Sequence, residues 1–128
     1  SWSTATTPFD NELMINGTHL GGQGWYNNVI AIHPTTPTTV FAGGINMFKS
    51  TNGTNFSRVS NGYGSPYMHV DQHAIWIDPK NPRHLMIGND GGLDISWDQG
   101  KSWDFVNTMA TALPLMELCS LEVGQVNL

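Results

Sequence analysis

Basic side chains are scarce in this sequence. Lys49, Arg58, Lys80, Arg83 and Lys101 are the five in 128 residues, scattered along the chain, and ten Asp and Glu leave a formal net charge of −5. Gripping phosphate takes a basic stripe or patch, so nucleic acid and anionic membrane surfaces are excluded as partners. Cysteine is nearly absent too. Cys119 stands alone in the apolar run 113–121, which excludes an internal disulfide and suits a small buried hydrophobe. No apolar run approaches the ~20 residues of a membrane helix, so no membrane span is expected. No basic n-region opens the chain, and Ser1-Trp2-Ser3 reads as a mature or trimmed start. What remains is rich in Gly, Pro and aromatics: 14 Gly, 7 Pro, five Trp, three Tyr and five Phe. Such a chain is compatible with an uncharged ligand such as a glycan.

The sequence says the same thing twice. Residues 29–59 and 74–106 align, with Ile32 matching Ile77, Pro34 matching Pro79, Pro37 matching Pro82 and Gly43 matching Gly88 at an offset of 45. After two one-residue insertions Ser50 matches Ser96 and Phe56 matches Trp103. Repeats of this length mark arrays of supersecondary units. Each copy holds four short apolar runs, in the second copy residues 74–77, 85–87, 93–96 and 102–106. They are separated by Asp78-Pro79-Lys80-Asn81-Pro82, Asn89-Asp90-Gly91-Gly92 and Asp98-Gln99-Gly100. Proline lacks an amide donor and sits between strands, while Asn, Asp and Gly tolerate the positive φ of hairpin turns. Four strands in about 45 residues are one blade of a β-propeller.

The expected organisation is a lead-in over residues 1–23, a first blade over 24–60, a second over 61–107, and over 108–128 either the first strand of another blade or a tail. The fold class is all-β, an incomplete propeller of four-stranded antiparallel sheets. Propellers close with ~4–8 blades. Two leave open edges and a thin core, so the expected partners are further copies or the remaining blades of a larger protein.

The hairpin Ser96-Trp97-Asp98-Gln99-Gly100-Lys101-Ser102-Trp103 resembles an Asp-box, the S-x-D-x-G-x-x-W turn of BNR-type propellers, and Ser50-Thr51-Asn52-Gly53-Thr54-Asn55-Phe56 resembles a shorter copy. In this reading Trp97 lies between blades and Trp103 is the aromatic that anchors the hairpin between blades. Together with Gly24-Trp25-Tyr26-Asn27-Asn28, His69-Val70-Asp71-Gln72-His73 and Gly88-Asn89-Asp90-Gly91-Gly92, the pattern over residues 23–123 resembles bacterial secreted propellers of the glycosyl-hydrolase-like and sortilin-like kind. The resemblance implies an extracellular or periplasmic protein that acts on or binds polysaccharide. The alternative it leaves open is a non-catalytic module for binding or assembly. Xyloglucan-active propellers carry a similar aspartate–glycine turn with a catalytic carboxylate, which implies such a role for Asp90. Inverting glycosidases pair an acid and a base carboxylate ~6.5–9.5 Å apart; Asp71 and Asp90 are the candidate catalytic residues to supply one of the two, and the resemblance implies that the other lies on a distant blade. Sialidase chemistry, which clusters arginines, is disfavoured, because Arg58 falls in a predicted outer strand and Arg83 in a turn at the other end of the blade.

Propeller topology sorts the loops. Connections into the innermost strand and the turns between the second and third strands share one end. That end should gather Trp25, Tyr26, Asn28, His69, Asp71, His73, Asn89 and Asp90, with Trp25, Tyr26, Asn28, His69, His73 and Asn89 as ligand contacts. His69, Asp71 and His73 alternate, so a regular strand aims all three to one side. Their chemistry suits a divalent metal, zinc or calcium. Yet His69 and His73 lie ~13 Å apart on a straight strand, so one ion binds two neighbours unless a bulge intervenes. Bracing of the strand by hydrogen bonds is the other reading.

Overall fold

The computed structural model describes residues 26–106 and the strand pair β1 (Met14–Ile15) and β2 (Thr18–His19). Trp25, Cys119 and the predicted strand within 108–128 lie outside the described residues. The first copy of the repeat forms β3 (Val29–Ile32), β4 (Val40–Gly43), β5 (Met47–Ser50) and β6 (Phe56–Arg58). The second forms β7 (Gln72–Ile77), β8 (Leu85–Asn89), β9 (Gly92–Ser96) and β10 (Asp104–Phe105). Each copy is an antiparallel meander whose sheet order follows the chain. The architecture is all-β, two four-stranded blades, with no helix among the described residues.

The repeat extends to individual hydrogen bonds. His33 N–H bonds Thr39 O at 2.9 Å and Asp78 N–H bonds His84 O at 3.1 Å, again 45 residues on. Within those turns Thr39 N–H meets Thr36 O and His84 N–H meets Asn81 O, both at 2.8 Å. The last hairpin of each blade is held by one side-chain acceptor. Asp98 Oδ1 accepts from the backbone N–H of Lys101 and Ser102, each at 2.9 Å, and Oδ2 accepts from Ser102 Oγ at 2.7 Å. Asn52 Oδ1 does the same for Thr54 N–H at 3.0 Å and Asn55 N–H at 2.8 Å. Partial burial opposes the Asp98 charge, but the donors of Ser102, Ser96 and Lys101 outweigh it and hold the carboxyl down at about 2. Gly100 at φ 81° and Gln99 at φ 63° supply the left-handed backbone.

Strand limits depart from the sequence reading for local reasons. β7 starts two residues before residue 74, because Asp71 N–H and Gln72 N–H are drawn onto Ile45 O (2.9 Å) and Gly44 O (2.8 Å) of the first blade. β10 starts after residue 102, because the Asp98 turn consumes the residues before it.

The blades stack face to face. Phe41 and Met47 of the first blade, Leu85 and Ile87 of the second, and Met68 from the connecting loop are each at most 0% exposed and form one cluster, flanked by Val59, Ile75, Ile77 and Trp103. Fully burying such a side chain contributes about 1.5–3 kcal/mol. Of the two tryptophan assignments one holds. Trp103 anchors its hairpin between the blades, donating Nε1–H to Val59 O of the first at 2.8 Å. Trp97, read as lying between blades, is exposed and stacks on His84 with ring centroids 4.0 Å apart.

Candidate functional site

Topology places the 44–46 turn, the 90–91 turn and the connection 59–71 at one end of the stacked blades. Val59 N–H bonds Met47 O at 2.8 Å as the chain leaves β6, and Asp71 and Gln72 bond the 44–46 turn as it enters β7. At this end Tyr26, Asn27, Asp71, His73 and Asp90 come together. His73 Nε2–H faces Asp90 Oδ1 at 2.5 Å. Tyr26 donates its hydroxyl to Asp90, 3.0 Å from either carboxylate oxygen, and its ring meets His73 edge-on at 4.8 Å. Asn27, 0% exposed, donates Nδ2–H to Asp71 Oδ1. Residues just before β3 thus complete a site carried by the second blade.

Asp71 adopts φ 65°, a left-handed conformation that Asp tolerates better than most side chains. The register of β7 then shifts between Gln72 and Ala74. These two irregularities break the alternation of His69, Asp71 and His73, and each side chain meets a different partner. His69 packs its ring on Gly91, where an added Cβ would fall 2.6 Å from His69 Cγ, and its Nδ1–H faces Val70 O at 3.0 Å. Among the described residues no group of three His, Cys, Asp or Glu side chains is placed to hold a metal.

Beneath the mouth lies a buried polar layer. Gln72, Asn89 and Asp94 are each 0% exposed. Asn89 Nδ2–H donates to Asp94 Oδ2 at 2.7 Å, Asn89 Oδ1 accepts Gly91 N–H at 3.0 Å, and Gln72 Nε2–H donates to Ile45 O (3.1 Å) and His69 O (2.6 Å). Asn89 therefore supports the 90–91 turn from below, while Asn28 is exposed beside the site.

Burial pushes the Asp71 carboxyl above its usual range, and the Asp90 charge adds to this; the Asn27 amide and the imidazoles of His73 and His69 pull the other way without cancelling it. Asp90 has its acceptor sites engaged by Tyr26 and His73. Of the cluster, Tyr26 is exposed and Asp90 partly so, while Asn27 is buried. Two carboxylates in unlike surroundings, an imidazole and a phenol can bond hydroxyl groups and move a proton.

No family model and no curated protein matches the chain. Among solved structures it is similar to the crystal structure of an ancestral GH74 enzyme, at 19% identity and a TM-score of 0.49, over 59% of this chain and 12% of that one. The chain therefore spans about an eighth of that enzyme's length.

The sequence reading named Tyr26, Asp71, His73 and Asp90 but missed Asn27, Gln72 and Asp94. Asn27 lies within the 24–28 motif, but nothing in that motif sets it apart from its neighbours, because its partner Asp71 is 44 residues away. Asp94 carried a misleading one: it stands between Leu93 and Ile95, so alternation read from the sequence turns it outward, whereas the structure buries Gly92, Asp94 and Ser96.

Proposed function

We propose that this chain is a module of a secreted Asp-box propeller and that it binds a neutral polysaccharide at the mouth between its two blades. The observation that carries the reading is the convergence of Tyr26, Asn27, Asp71, His73 and Asp90 on one end of the stack. Sugar hydroxyls are met by paired acceptors and donors, and the ring of Tyr26 offers an apolar face. The acidic mouth and the scarcity of basic residues disfavour anionic glycans. The Ser96 and Ser50 hairpins, each tied by one Asp or Asn acceptor, support the Asp-box reading.

The test is affinity electrophoresis through gels holding neutral polysaccharides. Retardation of the wild type is expected, with Asp71→Asn and Asp90→Asn each weakening it at least tenfold. Equal retardation of all three proteins would overturn the reading. Glycosidic hydrolysis is a second reading, favoured by the unlike environments of Asp71 and Asp90. Inverting hydrolysis needs carboxyls ~6.5–9.5 Å apart, one as acid and one as base, and Asp71 suits the acid. Release of reducing ends by the wild type and not by Asp71→Asn would establish it.

A further inference from the structure

The connection from β6 to β7 carries two tyrosines that neither the repeat nor the mouth accounts for. Tyr63 is 91% exposed and Tyr67 is 51% exposed. Exposed rings on a loose loop would mean little. This loop is pinned along its length. Ser60, 1% exposed, accepts Met47 N–H on its Oγ at 2.8 Å. Asn61 N–H bonds Pro66 O at 2.8 Å, closing the loop on itself, and Asn61 Oδ1 accepts Tyr63 N–H at 3.1 Å. Gly62 N–H bonds Asn46 Oδ1 at 3.1 Å, tying the loop to the 44–46 turn. Gly62 also lies so close to Val70 that an added Cβ would fall 2.3 Å from Val70 Cγ1. Met68, 0% exposed, drives the far end into the core between the blades.

From these contacts we propose that Tyr63 and Tyr67 form an aromatic platform that extends the mouth into a binding surface for a neutral polysaccharide chain several sugar units long. The inference rests on the mouth reading and names the kind of ligand that reading leaves open. Tyrosine offers a broad amphipathic face at low conformational cost, and a loop already fixed gives up little further entropy on binding. Residues 61–68 carry no charge, so the platform has nothing to select an anionic sugar. Tyr67 stands four residues before Asp71, at most about 14 Å along the chain. One glycan chain several units long can therefore touch both, its first two units seated at the mouth and the later ones on the platform.

The experiment begins with affinity electrophoresis against xyloglucan, glucomannan and mixed-linkage β-glucan, with polygalacturonate as the anionic control. Calorimetry follows with the disaccharide and hexasaccharide of the best binder. The proteins are the wild type, Tyr63→Ala/Tyr67→Ala, Tyr63→Phe/Tyr67→Phe and Asp90→Asn. Both tyrosines are exposed, so the double variants should melt like the wild type. The wild type should bind the hexasaccharide at least tenfold more tightly than the disaccharide. The alanine pair should lose that gain and keep disaccharide affinity, the phenylalanine pair should keep both, and Asp90→Asn should weaken both lengths alike. An alanine pair that binds the hexasaccharide like the wild type overturns the platform and leaves the mouth standing. Unchanged Asp90→Asn with a weakened alanine pair overturns the mouth and, with it, the platform as its extension. No binding of any neutral polysaccharide by the wild type overturns both. If the alanine pair only lowers the mass in sedimentation, the tyrosines are a protein contact and the platform falls.

Discussion

Asp94 is a carboxyl with no access to water, and burial raises its pKa to about 6. The Asn89 amide is the main opposing influence, with smaller help from the charge and backbone N–H of His69. The sign of the consequence follows from linkage. A carboxyl whose folded pKa exceeds its ordinary value of ~3.9 binds more protons in the folded state across that gap, so its contribution falls as pH rises from about 4 to about 6 and stays low above. Two pKa units correspond to about 3 kcal/mol. Urea unfolding from pH 4 to pH 7 should therefore show a decline in wild-type stability of up to about 3 kcal/mol from this group. Asp94→Asn should flatten it. Parallel curves for the two proteins would mean that Asp94 is ionised throughout. The raised carboxyl of Asp71 contributes in the same direction.

At the scale of the element, the terminal hairpin of the second blade is what fastens one blade to the other. Its turn is closed by Asp98, and its aromatic, Trp103, reaches across to Val59 O. Replacing Trp103 with Phe keeps most of the apolar area and leaves the Val59 carbonyl without its donor. The expected loss is about 1 kcal/mol, the usual net value of one such bond. Trp103→Ala adds a cavity beside the core and should cost about 3–5 kcal/mol. Chemical denaturation measures both. Equal losses for Phe and Ala would show that packing contributes nothing beyond the hydrogen bond. Turn chemistry was legible in the sequence at this scale, because Asp98, Asn52 and the glycines work through bonds two to four residues long. That Trp103 anchors its hairpin between blades was legible too, but its acceptor, Val59 O, was not, because the bond spans 44 residues.

Across the whole molecule the two blades are unequal. Ile75 and Ile77 pack on the cluster between the blades, whereas Ile30 and Ile32, their equivalents 45 residues earlier, are 68% and 62% exposed. The repeat builds the same face twice, and among the described residues only the second is covered. An apolar sheet face of this kind favours association. Sedimentation should show species heavier than the 14.0 kDa chain. Ile30→Lys with Ile32→Lys should shift them toward that mass, since charge on an open sheet opposes pairing. A wild type that sediments as a 14.0 kDa monomer at all concentrations would rule this out.

The sequence by itself determined the blades. Offset-45 pairs such as Pro34 with Pro79 and Gly43 with Gly88 mark where strands end, and strand alternation and turn preference act over a few residues. It also determined which end would gather Tyr26, Asp71, His73 and Asp90, since a meander leaves its connections no choice of side. Only the tertiary structure decided how those residues point. The stacking of the second blade on the 44–46 turn pulls Asp71 into a left-handed conformation and shifts the register after Gln72. That turns His69 onto Gly91 and His73 onto Asp90, and brings Asn27 to Asp71 from 44 residues away. Local chemistry fixes the strands, but contacts between the blades outweigh local alternation where the site is made.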